Sequence, residues 1–156
     1  MIKVGDQIPS TSITVIYKDD QENISAADFF AQKKVVLFAL PGAFTPTCSE
    51  AHLPGFVIKY DEIKAKGVGQ VACLSVNDSF VMKAWQASQN AENLTMIADG
   101  AAALTKELGL VLDTADFGGI RSQRYSMIVD NGVVTYLNIE EEGFEVSDAN
   151  TILTQL

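Results

Sequence analysis

A chain of 156 residues, 47% apolar and 20% charged, has the size and composition of one globular domain spanning residues 1–156. Its 11 Lys and Arg against 20 Asp and Glu leave a net charge of −9, which repels nucleic acid and anionic lipid. Two cysteines, Cys48 and Cys73, and one histidine, His52, exclude a disulfide-dense scaffold and are too few for a Cys/His zinc site without carboxylates.

Taken in order, Met1 to Asp6 shows no basic region followed by an apolar run, and no stretch nears 18 consecutive apolar residues. A cytoplasmic setting with reduced thiols, away from membranes, is the expectation. Ile13 to Tyr17 is a short β-branched run that ends at Asp19-Asp20. Ser25-Ala26-Ala27-Asp28 resembles a capping box and predicts a helix to about Gln32. Val35 to Leu40 is apolar without alternation, as suits a strand buried on both faces. The loop from Pro41 to Pro46 follows. A helix then runs from Pro46 or Thr47 towards Lys66, with Pro54 inside it to kink it.

Gln70 to Val76 reads as the next strand, and Asp78 caps a helix carrying Phe80, Val81, Ala84 and Trp85. Thr95 to Ala98 is a short strand closed by Asp99-Gly100, and Ala101 to Leu108 is a helix stopped by Gly109. Arg124 to Val129 and Val133 to Asn138 flank Asp130-Asn131-Gly132, a hairpin signal, and Asp148 caps a last helix. The alternation predicts an α/β domain of the thioredoxin-like plan. It has a central, mostly parallel sheet, a C-terminal antiparallel hairpin and helices on both faces. Ligands of such sheets bind beyond the carboxyl ends of the strands, where the loop after Leu40 lies.

That loop leads into Cys48. Thr45-Pro46 marks a helix start, so Cys48 falls in the first turn. Free amides and the helix dipole there favour a thiolate, the nucleophilic form. A free cysteine is often a small core hydrophobe, but Pro, Gly, Thr and a second Pro are an odd way to fill a core. The third position after Cys48 is occupied by Ala51 rather than a cysteine, so there is no Cys-x-x-Cys, which argues against a dithiol exchange centre. Thr45 caps the helix or takes part in chemistry, and the two roles are compatible. His52, four residues on, either supports the site or makes a local contact.

The string Pro41-Gly42-Ala43-Phe44-Thr45-Pro46-Thr47-Cys48 resembles the Pro-x-x-x-Thr-x-x-Cys motif of peroxiredoxins. His52 to Phe56, Ala72 to Asp78 and Gly119 to Ser126 resemble the type II, or peroxiredoxin-5-like, members. The resemblance implies a thiol peroxidase whose Cys48 attacks a peroxide and becomes a sulfenic acid. It implies that Thr45 and Arg124 hold the peroxide and the sulfur, that amides near Phe44 and Cys48 add donors, and that Pro41 shields the thiol. Arg121 competes with Arg124 for the role, and the match favours Arg124. It also implies a homodimer, to which Phe44, Phe80 and Phe117 are candidate contributors.

The tail from Glu142 to Asp148 lacks the resolving cysteine of some members. Cys73 is then either a resolving thiol or a core residue of its strand. The core reading gives a one-cysteine cycle with glutathione and glutaredoxin, or thioredoxin, as external reductants, and no bound cofactor or metal. Two other readings are a glutathione-dependent thiol–disulfide exchanger and a peroxide sensor that relays oxidation to a partner protein.

Overall fold

A computed structural model describes residues 1–156. Nine strands form: β1 (Ser12–Ile16), β2 (Gln21–Ser25), β3 (Lys34–Ala39), β4 (Gln70–Ser75), β5 (Thr95–Ala98), β6 (Val111–Asp113), β7 (Ile120–Ser122), β8 (Tyr125–Asp130) and β9 (Val133–Ile139). Six α-helices accompany them: α1 (Ala26–Phe29), α2 (Leu53–Ile58), α3 (Tyr60–Lys64), α4 (Ser79–Ser88), α5 (Ala103–Leu108) and α6 (Ala149–Leu153). Seven strands make one sheet in the order β2-β1-β5-β4-β3-β8-β9, and β6 and β7 form a separate ribbon.

The parallel part of the sheet is its centre, β3, β4 and β5. Antiparallel pairs flank it, with β1 on β5 at one side and β8 on β3 at the other. Side chains of β3 alternate between two cores. Val36 and Phe38 face Leu53, Phe56, Trp85 and Ile152 on one side. Val35 and Leu37 face Phe29, Phe30, Leu104 and Leu108 on the other. This is why Val35 to Leu40 carries no polar alternation: both of its faces are covered by helices. The hairpin β8–β9 turns at Asn131 and Gly132, both with positive φ (48° and 81°), as a two-residue turn requires.

Three expectations need correction. The helix after Ser25 is a single turn, and the Ser25 side chain makes no capping bond. The strand β2, to which the sequence pattern assigned no element, pairs with β1 at the sheet edge, where its polar residues face solvent. The long helix from Pro46 is broken elsewhere than at Pro54. Helical backbone begins at Pro46, widens to a π-helical turn over Cys48–His52, resumes as α2, and breaks again at Lys59. Pro54 has no N–H to offer the carbonyl of Glu50, and one residue earlier the Leu53 N–H reaches back to the Cys48 carbonyl.

Gly109 ends α5 with φ +72°, and a Cβ there would lie 2.8 Å from the Met1 Cα. Gly109→Ala is expected to destabilise the fold by about 2 kcal/mol, the upper end of the left-handed cost, before any backbone shift. Urea unfolding of the two proteins measures it, and equal midpoints would contradict this account.

Candidate active site

Strand β3 ends at Ala39, and the chain crosses the carboxyl end of the sheet as the loop 40–45. The Leu40 N–H donates to the Leu74 carbonyl, and the Ala43 N–H donates to Asn77 Oδ1 at 3.0 Å. The same Asn77 oxygen accepts from the Ser75 hydroxyl at 2.6 Å, which ties the loop to the end of β4. Phe44 takes a left-handed conformation (φ 65°) and leaves its ring 56% exposed above Trp85. Thr45 donates its hydroxyl to the Gly42 carbonyl at 2.6 Å, and its own carbonyl accepts the Ser49 N–H. Thr45 makes no hydrogen bond to the sulfur; its hydroxyl oxygen keeps lone pairs for another donor. Pro46 opens the helix, and Cys48 sits in its first turn with an N–H that finds no protein acceptor.

The Cys48 thiol is buried, at 1% exposure. Arg124, at the entrance to β8, points across to it, with Nη2 at 3.2 Å from Sγ. Its other terminal nitrogen, Nη1, stands 2.9 Å from His52 Nδ1. The opposite ring nitrogen, Nε2, is 3.0 Å from the Ser147 carbonyl. An arginine N–H only donates and a carbonyl only accepts, so His52 is the neutral tautomer with its proton on Nε2. The ring lies in an aromatic box of Phe38, Phe56 and Phe144, at centroid distances of 5.0, 5.8 and 5.0 Å.

Arg121 is placed elsewhere. Its Nε donates to the Gly118 carbonyl at 3.1 Å, and its guanidinium flanks Gly42 rather than Cys48. Pro41, Thr47 and Arg124 line a cleft of about 410 Å³ together with Gln123, Glu141 and Glu142. Cys73 lies on β4 with no exposure, on the same side of the sheet as Cys48. Burial pushes its thiol well above the ordinary range, which keeps it protonated. The sequence reading missed the tail residues Phe144, Ser147 and Glu140. Their contacts to the site span up to 95 positions, and the contact at Ser147 is a backbone carbonyl that no side-chain pattern announces.

His52 is held down to about 3, first by burial and then by the Arg124 charge, while the Ser147 carbonyl pulls the other way. An unfolded histidine titrates near 6.5, so between those values the unfolded chain binds a proton that the folded one does not. This stabilisation is complete above about pH 6.5 and falls with pH by up to about 1.4 kcal/mol per unit. His52 is the only histidine, so no other side chain with an ordinary titration covers the window from pH 6.5 to 5. Urea midpoints should drop across that window, and His52→Gln should flatten the drop. A flat midpoint in the unsubstituted protein would disprove this coupling.

The redoxin family matches residues 3–153. Peroxiredoxin-2D of Arabidopsis thaliana is 47% identical over 99% of this chain and 98% of its own length. Among solved structures, reduced Prx3 from Vibrio vulnificus in complex with hydrogen peroxide superposes with a TM-score of 0.96 at 57% identity, covering 99% of each chain. Oxidised Prx3 from the same organism superposes with a TM-score of 0.92 at 58% identity over the full length of both. The fold is thioredoxin-like, and with a redoxin match over nearly its whole length the chain belongs to the peroxiredoxins, of the type II or peroxiredoxin-5-like kind, which are thiol peroxidases.

Proposed function

We propose that Cys48 is the peroxidatic thiol and that the protein runs a one-cysteine cycle on hydrogen peroxide and small alkyl hydroperoxides. The observation that carries the reading is Arg124 Nη2 at 3.2 Å from Cys48 Sγ. A guanidinium at that distance stabilises a buried thiolate and remains charged at any working pH. The thiolate attacks the nearer peroxide oxygen. A sulfur–oxygen bond forms as the oxygen–oxygen bond breaks, and the leaving oxygen departs as water or alcohol after taking a proton. Cysteine is oxidised to sulfenic acid and the peroxide is reduced. Arg124 and the Cys48 N–H are the donors beside the sulfur, where negative charge moves during that step, the arrangement that lowers such barriers, while the Thr45 hydroxyl, its proton given to the Gly42 carbonyl, accepts the O–H of the peroxide. Pro41 walls the cleft, and Phe44 caps the loop. The relative solved with hydrogen peroxide supports this substrate. The sulfur is the redox group, so the peroxidase chemistry needs no prosthetic cofactor.

The cycle closes with an external thiol. Glutathione attacks the sulfenic acid, releases water and leaves a mixed disulfide, which glutaredoxin or a second thiol reduces. The burial of Cys73 in mid-strand supports this route over an internal disulfide, since a protonated, enclosed thiol is a poor nucleophile. A compartment rich in reduced glutathione, such as the cytoplasm, is the setting that such a cycle requires. Phe80 (84% exposed), Phe117 (79%) and Phe44 are large apolar groups on the surface, and their exposure supports a homodimer in which a second copy covers them.

Cys48→Ser is expected to abolish peroxide consumption, and Arg124→Gln to slow it by about a hundredfold. Cys73→Ser should retain most turnover with glutathione and glutaredoxin. Loss of that turnover in a folded Cys73→Ser protein would instead assign Cys73 the resolving role. Side-by-side assays with glutathione, glutaredoxin and thioredoxin decide the reductant. Sedimentation velocity should give a dimer that Phe80→Glu weakens; a monomer at micromolar concentration would refute the assembly.

A further inference from the structure

The tail between β9 and α6 returns to the active site, and one carboxylate organises it. Glu140 Oε2 accepts the backbone N–H groups of Glu145, Val146 and Ser147 at 2.9, 2.8 and 2.8 Å. It also accepts the Ser147 hydroxyl at 2.7 Å. Burial alone would raise this carboxyl, yet the four donors hold it below its ordinary range. Glu140 is itself anchored beside the site, because its N–H donates to the Arg124 carbonyl at 2.9 Å. The three gathered amides curl the segment so that the Ser147 carbonyl faces inward, 3.0 Å from His52 Nε2. The same turn lays Phe144 over the His52 ring and within 5.9 Å of the Arg124 guanidinium.

The chain of contacts therefore reads Glu140, Ser147, His52, Arg124, Cys48. Each link constrains the next. A carbonyl at Nε2 demands a proton there, which leaves Nδ1 as a bare acceptor for Arg124. Without that carbonyl the ring is free to carry its proton on Nδ1, where it would meet an arginine N–H donor to donor. The guanidinium would then lose its second anchor and its fixed distance to the sulfur.

We propose that Glu140 is a positioning residue for peroxide reduction. It fixes the tail whose Ser147 carbonyl sets the His52 tautomer, and that tautomer holds Arg124 against Cys48. The proposal rests on Cys48 and Arg124 being the reacting pair.

The test is Glu140→Gln, which keeps size and an acceptor oxygen but removes the charge that binds four donors. Two readouts are needed. Peroxide reduction should slow by about tenfold or more, a cost typical of a misplaced catalytic group. The ¹⁵N shifts of the single imidazole should show loss of the pure Nε2–H tautomer, a signature that mere destabilisation of the folded protein would not produce. Ser147→Ala removes only the hydroxyl link and serves if Glu140→Gln does not fold. It should show a smaller loss of rate with a correspondingly smaller tautomer shift, and a folded Ser147→Ala protein with full rate and an unchanged imidazole counts against the role of Glu140. Arg124→Gln is run alongside. If it slows the reaction while the folded Glu140 variant keeps full rate and an unchanged imidazole, the role of Glu140 is overturned and the reacting pair stands. If Arg124→Gln itself keeps full rate, the reacting pair falls and this proposal falls with it.

Discussion

The guanidinium of Arg124 is the point at which the site is assembled. Its planar fork reaches the Cys48 sulfur with one nitrogen and the His52 ring with the other. Taking a thiolate out of water is costly unless a charge or strong donors meet it. With the thiol at 1% exposure, no solvent shell supplies them. The neighbouring features serve this one contact. The first turn of the helix presents the sulfur and a free N–H, the entrance to β8, the strand next to β3, delivers the arginine, and the tail presses the histidine into place. Rigid secondary structure sets the first two, and a loop held by hydrogen bonds sets the third.

The π-helical turn belongs to the same arrangement. A regular α-helix through Cys48 and Pro54 would leave the Glu50 carbonyl facing a residue with no N–H. Widening the helix over Cys48–His52 absorbs that defect where it brings the sulfur and the imidazole inward together. Such turns sit in helices at functional sites more often than elsewhere. Pro54 is therefore a shaping residue for the site although it touches neither the sulfur nor the arginine.

Much of this was legible in the residues themselves. The buried runs of β3, β4 and β5, the Asn-Gly hairpin and the Asp78 cap are local signals, and each stands where the pattern put it. The edge strand β2 and the ribbon β6–β7 were not, because their residues are largely exposed and their pairing depends on partners rather than on composition. At the site, Cys48 and Thr45 are marked by a loop of Pro, Gly and Thr next to a helix start. Arg124 could be separated from Arg121 only by resemblance, since both precede or lie in short strands with equal chemistry. Geometry separates them on physical grounds, one guanidinium on the sulfur and the other on the Gly118 carbonyl. Glu140 and Ser147 carry no local mark, because what they contribute is the position of a carbonyl 95 residues from its partner.

The choice of a histidine behind Arg124 has a physical logic that a carboxylate would defeat. A buried carboxylate would hold the guanidinium as well or better, but it would share the positive charge and weaken the field at the sulfur. A neutral imidazole holds by a hydrogen bond alone and leaves the full charge facing the sulfur. It can do so only while it stays neutral, and both burial and the arginine itself keep it so. The acid that the arrangement does contain, Glu140, stands one step further out and spends its charge on three backbone amides and a hydroxyl. In a chain with 20 acidic residues against 11 basic ones, keeping carboxylates off this one guanidinium is the condition for its pairing with sulfur.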